Sequence, residues 1–72
     1  FSIVPNPVDS ILNIHLETAA AIKTVTVYDV NGRRVLQSNY ASSIDVSALQ
    51  TGMYIVQVET DTAIRTKKFI KN

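Results

Sequence analysis

The chain consists of short runs in which apolar and polar residues alternate, separated by turn-forming residues. Leu12, Ile14 and Leu16 alternate with polar neighbours, and Val25 and Val27 do the same within a stretch rich in β-branched residues. A period of two is typical of half-buried β-strands, whereas an amphipathic helix repeats every three to four residues. The chain has no helical pattern of useful length. The pattern therefore predicts an all-β protein.

Proline and glycine fix where the first strands end. Pro5 and Pro7 bracket Asn6, so two backbone donors are lost within three residues, and the segment before them can form only a short edge strand. Asn31-Gly32 is a strong hairpin signal and predicts a two-residue type I′ turn, since both residues tolerate positive φ.

The second half of the chain continues the same pattern. Gly52 releases the chain into a strand in which Tyr54 faces the core, and Leu49 is expected to close one end of that core. In the last strand, the alternation does not show which face lies toward the core. This ambiguity suggests a bulge near Lys67 and Lys68. In total the pattern predicts about seven short, mostly antiparallel strands with turns about every eight to twelve residues, as in a Greek-key sandwich.

Size and composition limit the protein to one small domain. The chain has 72 residues, 46% of them hydrophobic, no cysteine and a net charge of +1. A net charge this small produces no broad electrostatic field that would attract nucleic acid. No apolar run approaches the roughly 18 residues of a membrane-spanning helix. The first residue is Phe1, and no signal region follows it. We therefore expect residues 1–72 to be one domain cut from a longer protein.

The residues that could support catalysis are few and scattered. His15 is the only histidine and lies on the polar side of its strand, and the carboxylates stand singly beside turns. Asp29 and Asp61 could each contribute oxygen ligands to calcium, but their spacing matches no calcium loop, and an Asp at a turn usually bonds its own backbone. The sequence predicts no enzyme, no metal and no cofactor.

The basic end and the proline segment each allow two interpretations. Arg65, Lys67, Lys68 and Lys71 are four of the seven basic residues. They could protect an edge strand from pairing with other molecules, or they could dock an acidic partner or an anionic lipid. The Pro5-Asn6-Pro7 segment is either a rigid turn or a preorganised hook for a receptor.

Taken together, four motifs resemble the type A C-terminal sorting domain of the bacterial type IX secretion system, over essentially the whole chain. Val4 stands where that family usually has an aromatic residue. The motifs in chain order are Val4-Pro5-Asn6-Pro7-Val8, Val27-Tyr28-Asp29-Val30-Asn31-Gly32-Arg33-Arg34-Val35, Ile44-Asp45-Val46-Ser47-Ala48-Leu49-Gln50-Thr51-Gly52-Met53-Tyr54, and Lys68-Phe69-Ile70-Lys71.

The resemblance implies an immunoglobulin-like β-sandwich that acts as an export address and catalyses nothing. It implies a covalently fused N-terminal cargo that travels through the periplasm and across the outer membrane to the cell surface or the medium. The implied partners are the type IX translocon, its shuttle proteins and a surface sortase-like protease that removes the domain. The candidate recognition residues are Pro5, Asn6, Pro7, Asp29, Gly32, Gly52, Tyr54, Lys68 and Lys71.

The main alternative is a fibronectin-like or carbohydrate-binding accessory module of a secreted enzyme, because such modules share the sandwich. A sugar-binding surface usually presents coplanar exposed aromatic rings. This chain offers five aromatic residues, and Tyr54 is expected to be buried, so a stacking platform is disfavoured. The aromatic residues are Phe1, Tyr28, Tyr40, Tyr54 and Phe69.

Overall fold

Seven β-strands form two antiparallel sheets in the computed structural model, which describes residues 2–4, 7–16 and 21–72. The predicted number of strands is confirmed. The strands are β1 (Ser2–Val4), β2 (Ile11–His15), β3 (Ile22–Tyr28), β4 (Arg34–Asn39), β5 (Ser43–Asp45), β6 (Gly52–Thr60) and β7 (Ile64–Lys71).

The chain crosses repeatedly between the two sheets. One sheet has the order β1-β2-β5 and the other the order β4-β3-β6-β7. β2 pairs with β5 and β3 pairs with β6, although two strands separate the members of each pair in sequence. These crossings make the fold an immunoglobulin-like sandwich, and the prediction of that fold is confirmed. No helix in the described ranges is long and apolar enough to cross a membrane.

The core lies between the sheets and follows the predicted alternation. Leu12 and Ile14 of β2 and Val25 and Val27 of β3 are buried, as predicted from their spacing. Leu49 is half-buried against the same cluster, which confirms its predicted position. Burial of apolar surface stabilises such a core by roughly 25 cal/mol per Å², so these alternating positions hold the two sheets together.

The β3–β4 connection differs from the predicted type I′ turn. Asp29 N–H donates to Arg33 C=O (2.9 Å) and Gly32 N–H donates to Asp29 C=O (3.0 Å), so the loop has three residues. Gly32 has φ +83°, whereas Asn31 does not have positive φ. Type I′ geometry needs positive φ at both positions, so the prediction was wrong. The Asp29 side chain explains the difference, because it bonds the loop backbone and stabilises the longer turn.

The predicted bulge in the last strand was also wrong. The register between β6 and β7 runs without a shift from Gly52 opposite Lys71 to Glu59 opposite Ile64. Phe69 therefore faces the core beside Tyr54, while Lys67 and Arg65 follow it on the same side of the strand and are exposed. An edge strand tolerates this arrangement because long basic side chains reach water past the border of the sandwich.

Candidate functional site

Residues from the two ends of the chain meet at one end of the sandwich. Val8 is fully buried and forms a parallel bridge with Lys71. Its N–H donates to Ile70 C=O (2.7 Å), and Asn72 N–H donates to its C=O (2.8 Å). The Asn72 side-chain amide donates to an Asp9 carboxylate oxygen at 2.9 Å. These bonds join the proline-containing motif to the basic motif, more than 60 residues apart.

The beginning of β6 lies against the same place. Gly52 pairs with Lys71 and Tyr54 pairs with Phe69 in the register of the two strands. The Tyr54 and Phe69 rings stack with centroids 5.7 Å apart and planes inclined by 25°. The Tyr54 hydroxyl donates to Gln50 C=O at 2.8 Å. A Tyr early in this strand that bonds the backbone a few residues upstream is the tyrosine corner of immunoglobulin-like domains.

Gly52 itself has a conformation that favours glycine. Its φ is +154°, which residues with a side chain rarely adopt, and a Cβ placed there would have no neighbour within 4 Å. The requirement for glycine therefore comes from the backbone and not from crowding. This conformation lets the chain leave the turn after Leu49 and enter β6 beside Lys71.

The Asp29 loop completes this end of the sandwich. One Asp29 carboxylate oxygen accepts hydrogen bonds from the backbone N–H groups of Asn31 and Arg33, both at 2.9 Å. Arg33 Nε lies 3.3 Å from the other oxygen. The hydrogen bond from the Arg33 backbone has the largest effect and lowers the pKa of Asp29. Desolvation opposes it, and the Asn31 hydrogen bond and the guanidinium charge add to the lowering, so the pKa lies below its usual value.

A cleft of about 370 Å³ separates this loop from the turn before β6, and Asp29, Leu49, Gln50 and Tyr54 contribute to its walls. We call the whole region the motif end. It brings together residues from all four sequence motifs and comprises Pro7, Val8, Asp29, Gly32, Gly52, Tyr54, Phe69, Ile70 and Lys71.

The predicted recognition residues differ in exposure. Pro7 and Lys68 are exposed, whereas Tyr54 is buried. Lys71 is only 6% exposed, and its ammonium group donates to the Asn72 backbone oxygen at 2.7 Å. Lys71 thus does not add an exposed cation, contrary to the cationic end expected from the sequence. Pro5 and Asn6 lie outside the described residues.

Two residues with clear structural roles were not among the sequence-based candidates. Val8 was part of a quoted motif, but nothing in its local pattern indicates a bridge to Lys71. Asp45 accepts a hydrogen bond from Ser47 N–H at 2.9 Å. Hydrogen bonds from the Ser47 side chain and backbone hold the pKa of Asp45 below its usual value. The Asp-x-Ser spacing is a local turn signal that could have identified this second role.

The remaining candidate chemistries find little support in these side chains. His15 is exposed, and no group of three His, Asp or Glu side chains able to hold a metal occurs in residues 2–4, 7–16 and 21–72. Of the described aromatic residues, Tyr40 is 81% exposed, Tyr28 is half-buried, and Tyr54 and Phe69 are buried. These rings form no exposed coplanar pair, so the structure offers no observation in favour of sugar stacking.

The fold and the motif end define a small immunoglobulin-like domain in which the motif turns and the terminal segments converge at one end of the sandwich. The sequence matches the family described as the secretion system C-terminal sorting domain over residues 2–72. The chain therefore belongs to the family of C-terminal sorting domains of the type IX secretion system. No curated protein matches the sequence.

Membership establishes what the domain does. It is a non-catalytic sorting signal that interacts with the type IX machinery and marks proteins for export across the outer membrane to the cell surface or the medium.

Proposed function

We propose that the motif end is the part of this sorting domain that the export machinery recognises. The observation that carries the proposal is the convergence of four sequence motifs, joined by the Val8–Lys71 bridge and the Gly52–Lys71 pair. A surface assembled from distant segments exists only in the folded domain. The export machinery would therefore recognise the folded domain and not a linear peptide.

Exposed groups beside these packing residues could supply the contacts. Met53 and Ile70 are cross-strand partners on the outer face of the sheet, 45% and 40% exposed, and Lys68 follows on that face opposite Ile55. Apolar side chains next to a cation suit a protein surface with an apolar centre and acidic groups at its border. Charge pairs at such a border contribute to encounter rate and register more than to affinity.

The buried members of the motif end would act indirectly. Tyr54, Phe69 and Lys71 position the last strand, and Asp29 and Gly32 shape the neighbouring loop. Pro7 is exposed next to the buried Val8, so it would present a rigid segment to a receptor.

The wider export route forms the second part of the proposal. Residues 1–72 would be one C-terminal domain fused to an N-terminal cargo. The translocon and its shuttle proteins would bind the motif end. A surface sortase-like protease would then remove the domain and attach the cargo to an anionic lipopolysaccharide. Family membership supports contact with the machinery in general, and these finer steps follow from the behaviour of the family.

A reporter fusion tests the proposal. Residues 1–72 are placed at the C-terminus of a periplasmic fluorescent protein in a strain with an active type IX system, with a translocon-deficient strain as control. We expect fluorescence at the cell surface or in the medium of the first strain only. Periplasmic retention in both strains would reject the export function of this chain.

A pair of charge reversals tests the location of the surface. Lys68→Glu changes an exposed cation beside the motif end, and Lys23→Glu changes an exposed cation of β3 away from it. We expect Lys68→Glu to lower export at least about fivefold and Lys23→Glu to leave it unchanged, with thermal unfolding measured for both. Equal export by two stably folded variants would show that recognition does not use Lys68.

A further inference from the structure

The strand β7 forms an open edge of the four-stranded sheet. It pairs with β6 along its whole length, and it is the last strand in the order β4-β3-β6-β7. On its other side Val8 makes one bridge, to Lys71. No strand in the described part of the chain pairs with residues 64–69 on that side, and residues 64–68 are exposed.

The direction of the backbone groups follows from the two bonds to Val8. Ile70 C=O and Asn72 N–H both point away from β6, because both bond Val8. Alternate residues of an unbroken antiparallel ladder point their N–H and C=O groups to the same side. The register of β6 and β7 is unbroken, so the N–H and C=O groups of Thr66 and Lys68 also point to the open side.

The usual structural obstacles to strand addition are missing from this edge. Residues 64–71 contain no proline and no bulge, and residues 64–68 are all exposed. At the beginning of the strand, the Arg65 guanidinium weakly covers the Ile64 carbonyl at 3.5 Å. Natural edge strands are often protected by bulges, proline or charge. Here the protection is charge, supplied by Arg65, Lys67 and Lys68.

The charge determines which strand fits the edge. A second copy of β7 would place these cations beside one another, which is unfavourable across a strand pair. An acidic strand would place carboxylates beside them. Neither Arg65 nor Lys68 forms an ion pair with another described residue, and Glu59, the acid nearest in the register, lies opposite Ile64.

We propose that the open edge of β7 at residues 64–68 binds an extended, acidic segment of the export machinery by strand addition. In this mode the main-chain hydrogen bonds supply affinity and the side chains supply selectivity. The inference rests on the proposed function, because residues 64–68 include Lys68, an exposed residue of the proposed recognition surface, and continue from it along β7. The Val8 bridge limits the site, since it occupies the edge at Lys71.

A proline substitution at one position tests the proposal. Thr66→Pro removes the N–H that points to the open side, whereas Thr66→Val keeps it and has a similar volume. A proline is tolerated on an edge strand when its missing N–H faced solvent. In the reporter fusion we expect export of Thr66→Val to equal that of the unchanged domain, and export of Thr66→Pro to fall at least about tenfold. Equal export by the two variants would overturn the inference.

Failure of this proposal is separable from failure of the proposed function. If the unchanged domain is not exported, the export function itself fails. If the unchanged domain and Thr66→Pro are exported equally, the domain is a sorting signal and the edge is not its binding site. If the unchanged domain and Thr66→Val sediment as dimers and Thr66→Pro sediments as a monomer, the edge binds a second copy, and the acidic partner is excluded.

A peptide measurement removes the dependence on the folding of Thr66→Pro. The probe is a synthetic ten-residue peptide of alternating Glu and Val, added to the unchanged 72-residue domain at up to millimolar concentration. We expect at least tenfold slower hydrogen exchange at the Thr66 and Lys68 amides. The same peptide with N-methylated backbone, or with Lys in place of Glu, should give no protection. Lack of protection by the acidic peptide would overturn the inference.

Discussion

The two ends of the sandwich are closed in different ways. At the motif end, Val8, Gly52 and Lys71 come from three distant parts of the chain and are held by backbone pairing. At the opposite end, the β6–β7 turn is held locally. Thr60 N–H donates to Ala63 C=O at 2.9 Å, and Ala63 N–H donates to the Thr60 hydroxyl at 3.2 Å.

Each end also contains a cleft of similar size. The cleft at the opposite end has a volume of about 410 Å³ with Leu16, Ile22 and Tyr40 in its walls, and the cleft at the motif end has a volume of about 370 Å³. Tyr40 is exposed and has φ +56°, a conformation that is uncommon for a residue with a side chain. The difference between the ends is therefore that the family motifs join distant segments at one end, while local turns close the other. Substitutions should accordingly cost more at the motif end, and four experiments test this difference.

The largest difference is expected within β7 itself. Phe69→Ala removes the largest fully buried side chain and its stacking partner for Tyr54, so it should destabilise the domain by about 3–5 kcal/mol. A domain this small has a total stability of roughly 0.05–0.15 kcal/mol per residue, so extensive unfolding is expected. Urea denaturation followed by circular dichroism measures the effect.

The matched control is Ile64→Ala at the other end of the same strand, where the side chain is 55% exposed. It should change stability by less than about 0.5 kcal/mol. Similar losses in the two variants would contradict the contrast between the ends. Deletion of residues 69–72 also removes the buried Phe69, so it is expected to prevent export by unfolding the domain, and surface substitutions are the better test of recognition.

The second effect concerns the backbone at the beginning of β6. Gly52→Val forces a β-branched residue into φ +154°, which should cost about 1–3 kcal/mol even though the surrounding space is open. The neighbouring substitution Thr51→Val, at an exposed residue without positive φ, serves as control. A Gly52→Val melting temperature equal to that of Thr51→Val would show that the glycine conformation is not required.

Periodicity predicted most of the fold because the core is built from alternating positions. Leu12, Ile14, Val25 and Val27 are buried as the two-residue period requires. The number of strands followed from the same pattern and from the turn residues. Tyr54 was correctly expected in the core, although its hydrogen bond to Gln50 had no separate signal.

Local sequence patterns did not predict the structure correctly where one long-range contact or one side chain determines the backbone geometry. The Asn31-Gly32 signal is common to several turns, and the Asp29 carboxylate selects the three-residue loop. The sequence did not show which face of β7 lies toward the core, because both faces of this edge strand carry apolar and basic residues. The burial of Lys71 depends on its bridge to Val8, 63 residues earlier, which no local pattern encodes.

A third, smaller effect tests the tyrosine corner. Tyr54→Phe keeps the stacked ring and removes only the hydroxyl that bonds Gln50 C=O, so it should cost about 1 kcal/mol. Tyr40→Phe removes the hydroxyl of an 81% exposed ring at the opposite end and should leave stability unchanged. Thermal denaturation of both variants measures the difference. Equal melting temperatures would show that the hydrogen bond adds nothing to the packing of the ring.

The smallest effect is a pH dependence that originates in the Asp29 loop. The pKa of Asp29 is lower in the folded protein, so its ionised form stabilises the fold above the ordinary carboxyl pKa of about 3.9. That stabilisation is lost as the pH falls through the lower, folded-state pKa. Asp29→Asn should therefore be less stable than the unchanged domain at pH 7 and approach it at pH 2, in urea denaturation at stepped pH.

Asp61→Asn is the control for this charge effect, because Asp61 is exposed in the turn at the opposite end and accepts no hydrogen bond from a described residue. At pH 7 its denaturation midpoint should equal that of the unchanged domain. The Asp29 carboxylate instead anchors two backbone amides and one guanidinium. If the deficit of Asp29→Asn were the same at pH 2 and pH 7, the charge would have no part in holding the loop, and the shape of the turn alone would account for it.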